Sequence, residues 1–159
     1  MKKEKRKKLH LEKVLFTLLL VILMACAGGA GVNSSVNIAD IQDKDWALAE
    51  LRSASGIVQI DRTRPDAAAS YTLRFEAERL SGGAAPNRYF GPYDSGPGNS
   101  LSIGLVGSTL MAAIFEHPNL REQDYFAYLN RVNHWELKNG VLELYTSDEN
   151  GTELVLVYR

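Results

Sequence analysis

The stretch from His134 to the C-terminus constrains the fold more than any other part of the chain. His134-Trp-Glu-Leu-Lys138 and Val141-Leu-Glu-Leu-Tyr145 each alternate apolar and polar residues, and they flank Asn139-Gly140. A period of two puts the apolar groups on one face of a strand, and Asn-Gly suits the positive-φ positions of a two-residue turn. The pair therefore predicts an antiparallel hairpin. Asp148-Glu-Asn-Gly151 turns the chain again into Thr152-Glu-Leu-Val-Leu-Val-Tyr158, which is apolar on both faces and reads as a central strand.

Upstream segments share this character. Trp46-Ala-Leu48 with Leu51, Gly56–Ile60, Ser70–Phe75, Ser100–Ile103 and the continuous apolar run Thr109–Phe115 read as further short strands. In Ser70–Phe75, Tyr71 and Leu73 face one way, Thr72 and Arg74 the other. One helix interrupts the pattern. Asn119 with Glu122 three residues on, just after Pro118, makes a capping-box-like start. Tyr125, Phe126, Leu129 and Val132 then share one face at helical spacing and are expected to pack on the sheet. The expected fold is α+β: a curled, half-barrel-like antiparallel sheet with one packed helix, a single domain over residues 43–159.

The first 26 residues have a different character. Lys2, Lys3, Lys5, Arg6, Lys7, Lys8 and Lys13 precede an uncharged apolar run, Val14–Met24. As a helix that run rises only about 16 Å, against the roughly 30 Å of a bilayer core, so it reads as the apolar region of an export signal. Leu23-Met24-Ala25-Cys26 resembles the bacterial lipoprotein box, which implies cleavage after residue 25 and lipid modification of Cys26. Ala27 to about Ala39 is rich in Gly, Ala, Ser and Asn, so residues 26–42 read as the lipidated cysteine and a flexible tether. Two or more acyl chains anchor stably where one does not, which makes the membrane the expected partner through Cys26. Ala27 after the cysteine favours the outer membrane in an envelope that has two.

Residues 1–25 hold 7 of the 18 basic and 2 of the 19 acidic residues, leaving a 134-residue remainder with a net charge of −6. Such a domain offers no electrostatic case for binding nucleic acid. Cys26 is the one cysteine, so the mature chain forms no internal disulfide. His117 and His134 lie in no zinc-binding motif, and no Walker loop, dinucleotide fingerprint or nucleophile elbow is present. No metal, cofactor or catalytic set is expected. A hydrolase using Ser100 or Ser108 with His117 or His134 is the enzymatic alternative, because triads are recognised by geometry and not by spacing.

The conspicuous stretch is Ser81-Gly-Gly-Ala-Ala-Pro-Asn-Arg-Tyr-Phe-Gly-Pro-Tyr93. Gly82 and Gly83 permit a close backbone approach, and Asn87 can bond its own backbone in a turn. Arg88 beside Tyr89, Phe90 and Tyr93 could stack on a ring or bind an anion. In the plainer reading this is an irregular strand whose aromatics fill the core and whose Asn87 pins the turn. Asn87, Arg88, Tyr89 and Tyr93 are the candidate functional surface.

These residues belong to an ordered series. Trp46-x-Leu48, Phe75, Gly82-Gly83, Asn87-Arg88-Tyr89 with Gly91 and Tyr93 open it. Leu101-Ser-Ile103, Ser108-Thr109-Leu-Met111-Ala112, Glu122 with Phe126 and Leu129, and the Leu142-x-Leu144 hairpin continue it. The series resembles the META domain, the HslJ-like family of small envelope or secreted proteins. The resemblance implies a curled antiparallel sheet with one helix, and association with heat shock, drug tolerance or secretion without an established activity. Many members carry a cysteine just before the motif Asn and another after the Met-Ala; here Pro86 and Ala113 stand in those places. The expected function is that of a membrane-anchored envelope lipoprotein, a non-enzymatic binding or stress accessory with an envelope protein as possible partner. A carrier of small hydrophobic ligands on the concave face of the sheet is the alternative.

Overall fold

Residues 37–63, 70–84, 86–111 and 117–159 are described in the computed structural model. The segments read from sequence as export signal and tether, with Cys26, lie outside them up to residue 36, as does most of the apolar run after Met111. The strands are β1 (Trp46–Ser53), β2 (Gly56–Gln59), β3 (Thr72–Phe75), β4 (Arg79–Gly83), β5 (Arg88–Ser95), β6 (Leu101–Ile103), β7 (Gly107–Ser108), β8 (His134–Lys138), β9 (Val141–Ser147) and β10 (Glu153–Tyr158). They form one antiparallel sheet in the order β6-β5-β4-β3-β1-β10-β9-β8, with β2 against β1 and β7 against β5. The two ends meet where Leu101 N–H donates to the Asn133 carbonyl at 3.1 Å and Ser100 bridges His134, so the barrel is nearly closed. The single helix among the described residues is α1 (Glu122–Leu129). None of them forms a helix long and apolar enough to cross a membrane.

The C-terminal hairpin is as its pattern requires. Asn139 (φ +52°) and Gly140 (φ +78°) make the turn between β8 and β9, and β10 lies between β9 and β1. The double apolar character of β10 has a structural reason. Leu154, Leu156 and Tyr158 enter the core, whereas Val157 is fully buried on the other face. That face carries an ion lattice. Arg52 bonds Glu50 at 2.8 Å and Glu143 at 2.7 Å, and Arg159 bonds Glu50 at 2.6 Å. The Arg159 hydrogen bond, helped by Arg52, holds the Glu50 carboxyl below its ordinary range despite burial. Tyr145 Oη donates to Glu136 and lies 3.0 Å from Glu143, and burial followed by these two carboxylates pushes its phenol up to about 12.

Residues 37–42, assigned from sequence to the tether, are built into the domain. Asn37 caps a short 3₁₀ turn, Ile38–Asp40, Ile41 is fully buried, and Trp46 Nε1 donates to the Ile41 carbonyl at 2.9 Å. Two other expectations are corrected. The helix begins at Glu122 with Arg121 as N-cap, and Asn119 caps nothing; Glu122 sits at the first helical position, too early for a capping box, and its carboxylate is used elsewhere. The described part of the Thr109–Phe115 run is not a strand, and Leu110 and Met111 are exposed.

A line of phenols joins the helix to both sides of the barrel. Tyr89 Oη donates to the Thr72 carbonyl at 2.7 Å, Tyr125 Oη is 3.0 Å from Tyr89 Oη, and Tyr158 Oη is 3.1 Å from Tyr125 Oη. Each phenol has one proton, so the direction of the whole line follows from its end. Tyr89 spends its proton on Thr72, so Tyr125 donates to Tyr89 and Tyr158 to Tyr125. The line needs Gly82, opposite Tyr89 in the ladder, because a Cβ there would lie 2.0 Å from the Thr72 carbonyl oxygen and 2.6 Å from Tyr89 Oη.

Two outcomes follow for stability. Gly82→Ala meets backbone that cannot yield, so denaturant unfolding should show a loss of about 3 kcal/mol or more. Burial raises the phenol of Tyr125 to about 12 and those of Tyr89 and Tyr158 well above 10. A raised folded-state pKa adds stability that is complete below the unfolded value near 10 and is lost as pH rises through the folded values. Alkaline titration of phenolate absorbance should therefore show these tyrosines ionising only together with loss of the fold.

Candidate functional site

The outer face of β3, β4 and β5 carries a groove of about 890 Å³. Its floor is low because β4 presents Ser81 and Gly83 there, and its walls are Thr72 and Arg74 of β3 and Arg88 and Phe90 of β5. Alternation in β5 decides which residues reach it. Arg88 and Phe90 are exposed, whereas Asn87, Tyr89 and Tyr93 are turned inward and buried. Arg74 lies 3.1 Å from Asp45, and Arg79 lies 2.7 Å from Glu76. Arg88 pairs with no carboxylate among the described residues.

The four sequence candidates are thus one exposed cation and three internal anchors. Asn87 is a hydrogen-bond knot. Its Nδ2 donates to Glu122 Oε2 at 2.8 Å and to the Met111 carbonyl at 3.3 Å; its Oδ1 accepts from Met111 N–H at 2.7 Å and Thr109 Oγ1 at 2.8 Å. Its own N–H donates to Glu122 Oε1 at 3.1 Å, and its carbonyl accepts from Ala84 N–H at 2.6 Å. Every polar group of Asn87 is satisfied, and the β4–β5 connection, the segment after β7 and α1 are held together by it. Tyr89 serves the phenol line. Tyr93 Oη donates to the Glu76 carbonyl at 2.6 Å and accepts from Gln42 Nε2 at 2.7 Å, which fastens the start of the domain to β5.

Of the hydrolase candidates, Ser100 stands opposite His134 in the sheet, and His134 Nε2 faces Glu136 at 3.8 Å, but no side-chain hydrogen bond joins Ser100 or Ser108 to a histidine; His117 Nδ1 accepts from Asn119 N–H at 3.2 Å. Burial holds His117 below its ordinary range, against a weaker pull from Asp61. Among the described residues no group of three His, Cys, Asp or Glu side chains could hold a metal. The concave face, offered from sequence to a hydrophobic ligand, is filled by the chain's own core, including Trp46, Tyr71, Tyr125, Trp135 and Leu156. Spacing did not single out Glu122, Thr109 or Met111 as partners of Asn87, although all four stand in the ordered series.

The family model for the META domain matches residues 39–158. The fold is similar to the NMR structure of a protein from Burkholderia xenovorans, at TM-score 0.53 and 24% identity, covering 76% of this chain and 85% of that one. It is also similar to the crystal structure of a DUF4847 family protein from Bacteroides vulgatus, at TM-score 0.51 and 12% identity, covering 74% of this chain and 92% of that one. No curated protein matches the chain in sequence.

Replacing Asn87 distinguishes an anchor from a surface group. Asn87→Ala should cost about 2–4 kcal/mol in denaturant unfolding, since it strands several buried partners. Asn87→Asp sets a carboxylate against Glu122, so its deficit should be large at pH 7 and partly recovered as pH falls through the carboxylate range.

Proposed function

The chain belongs to the META domain family, and from that membership we propose that it is an envelope lipoprotein whose domain acts as a non-enzymatic binding module in stress tolerance. The anchor is supported by the order of the head: a lysine-dense segment, an eleven-residue apolar run, then Leu23-Met24-Ala25-Cys26. Diacylglyceryl modification of Cys26 with acylation of its amino group would hold the domain at the membrane, the outer one where there are two. The observation that carries the binding reading is the groove beside Arg88. Three of the four sequence candidates spend their polar atoms inside the protein, while Arg88 and Phe90 face outward with a cation and a ring free to meet an anionic or aromatic group.

Metabolic labelling with a fatty acid tests the anchor. The wild-type chain should take up label and sediment with membranes, and Cys26→Ser should do neither; equal labelling and retention of Cys26→Ser would overturn the anchor. For the groove, a photo-crosslinking residue at position 81 should give an adduct in cells that Arg88→Glu removes, while its far-UV spectrum and melting temperature stay as in the wild type.

A further inference from the structure

Register sets out the side chains around the groove. Arg74, Ser81, Phe90 and Gly107 stand opposite one another across β3, β4, β5 and β7, and Gly83 pairs with Arg88 in the next outward row. Phe90 therefore has a small residue on each side of it. A Cβ on Gly107 would lie 3.7 Å from its Cζ and 3.9 Å from its Cε2, so the ring rests over that glycine. It is 60% exposed and borders the groove. Adjacent strands lie about 4.8 Å apart, so the β3 and β5 walls are about 10 Å apart, room for one six-membered ring and its contacts. Arg88 comes two residues before Phe90, about 7 Å along the same wall.

The charges around the groove are matched but for one. Arg74 pairs with Asp45 at 3.1 Å and Asp43 at 3.7 Å, and Arg79 pairs with Glu76 at 2.7 Å. Asp94 is four residues along β5 from Phe90, about 13 Å, and does not line the groove. Arg88 has no carboxylate partner among the described residues. The uncharged polar groups are of both kinds. Thr72 Oγ1 accepts from Gly83 N–H at 2.9 Å, which leaves its own proton to donate. Ser81 Oγ donates to Glu76 at 3.4 Å, which leaves its lone pairs to accept, and Asp45 meets Arg74 through Oδ1 alone. An aromatic anion covers such groups without bonding them, and each desolvated group left unpaired weakens binding. A pyranose ring has an apolar C–H face for Phe90 and a rim of hydroxyls that both donate and accept. An anionic substituent on it meets Arg88 in a charge-assisted bond. Resting on the groove reading above, we infer that the groove binds an acidic saccharide, a sugar ring carrying a carboxylate or phosphate. The ring lies on Phe90, the anion on Arg88, and the hydroxyls over Thr72, Ser81 and Asp45.

The full chain in nonionic detergent is titrated calorimetrically at low salt with trigalacturonate and with glucose 6-phosphate, which distinguish carboxylate from phosphate as the anion. At least one should bind. Maltotriose, inorganic phosphate, citrate and benzoate, which lack the anion or the sugar ring, should each bind at least about tenfold more weakly. Arg88→Gln and Phe90→Leu should each weaken the acidic sugar at least about tenfold at an unchanged melting temperature. Arg131→Gln, exposed beyond the end of α1, should leave its affinity as in the wild type. Failure of both acidic sugars to bind overturns the inference. So does a control ligand bound as tightly as the sugars, an affinity that either groove variant leaves intact, or an equal loss in Arg131→Gln. The crosslink at position 81 reports the groove reading separately. An adduct that Arg88→Glu removes, with neither acidic sugar binding, removes the inference alone, whereas no adduct and no binding removes both.

Discussion

The close approach of Tyr89 to Gly82 is the contact on which the rest of the barrel depends. A strand curls into a barrel only if something spans its concave side, and β5 and β10 are separated by three strands in the sheet order. Tyr89 crosses the bare backbone of Gly82 to reach the Thr72 carbonyl, which leaves its oxygen free to accept from Tyr125 of the helix. Tyr125 in turn accepts from Tyr158 of β10. The rings add edge-on packing, with centroids 5.2 Å apart for Tyr71–Tyr125 and 5.8 Å for Tyr89–Tyr125. One glycine hydrogen therefore decides whether the helix can sit between the two halves of the sheet. A glycine inside a strand is ordinarily a weakness; here the ring of its ladder partner covers it.

Asn87 fixes the same helix one turn earlier. The phenol line holds α1 at Tyr125, and the bonds from Asn87 hold it at Glu122, its first residue. This explains why Glu122 does not cap the helix. A carboxylate at the first helical position already complements the helix dipole, so its oxygens are free to accept two bonds from Asn87. The ordered residues of the META series thus converge from three separated segments on one hydrogen-bond knot, and their common reason is architectural.

The strands and the knot were not equally legible in the amino-acid pattern. Asn139-Gly140 and the double apolar face of Glu153–Tyr158 act through local backbone preference and burial on two sides, which sequence displays directly. The helix start failed because Asn119 and Glu122 satisfy a local rule that a distant partner, Asn87, overrides. The described start of the run after Ser108 is not a strand because apolar character marks a strand only where a core is waiting, and Leu110 and Met111 have none. Asn87, Tyr89 and Tyr93 looked like surface because polar tips are ambiguous in a sequence. Alternation along β5 turned them inward, and only Arg88 of the four meets solvent.

The β5 edge presents apolar side chains without presenting a usable backbone. Pro92 supplies no N–H in the middle of β5, and a Cβ at Gly104 would lie 2.9 Å from the Pro92 ring, so the covering strand is split into β6 and the two-residue β7. Such short, interrupted edge strands give an incoming strand little ladder to extend, which is how sheets avoid pairing with other chains. The exposed Phe90, Leu105, Leu110 and Met111 are therefore poorly placed for strand addition. The opposite side of the barrel has the reverse design, with Val157 sealed beneath Arg52, Glu50, Glu143 and Arg159. Ion pairs cover Val157 over β1, β9 and β10, while Phe90 of β5 and Leu105, Leu110 and Met111 after β6 are left exposed, so the sheet carries unlike surfaces.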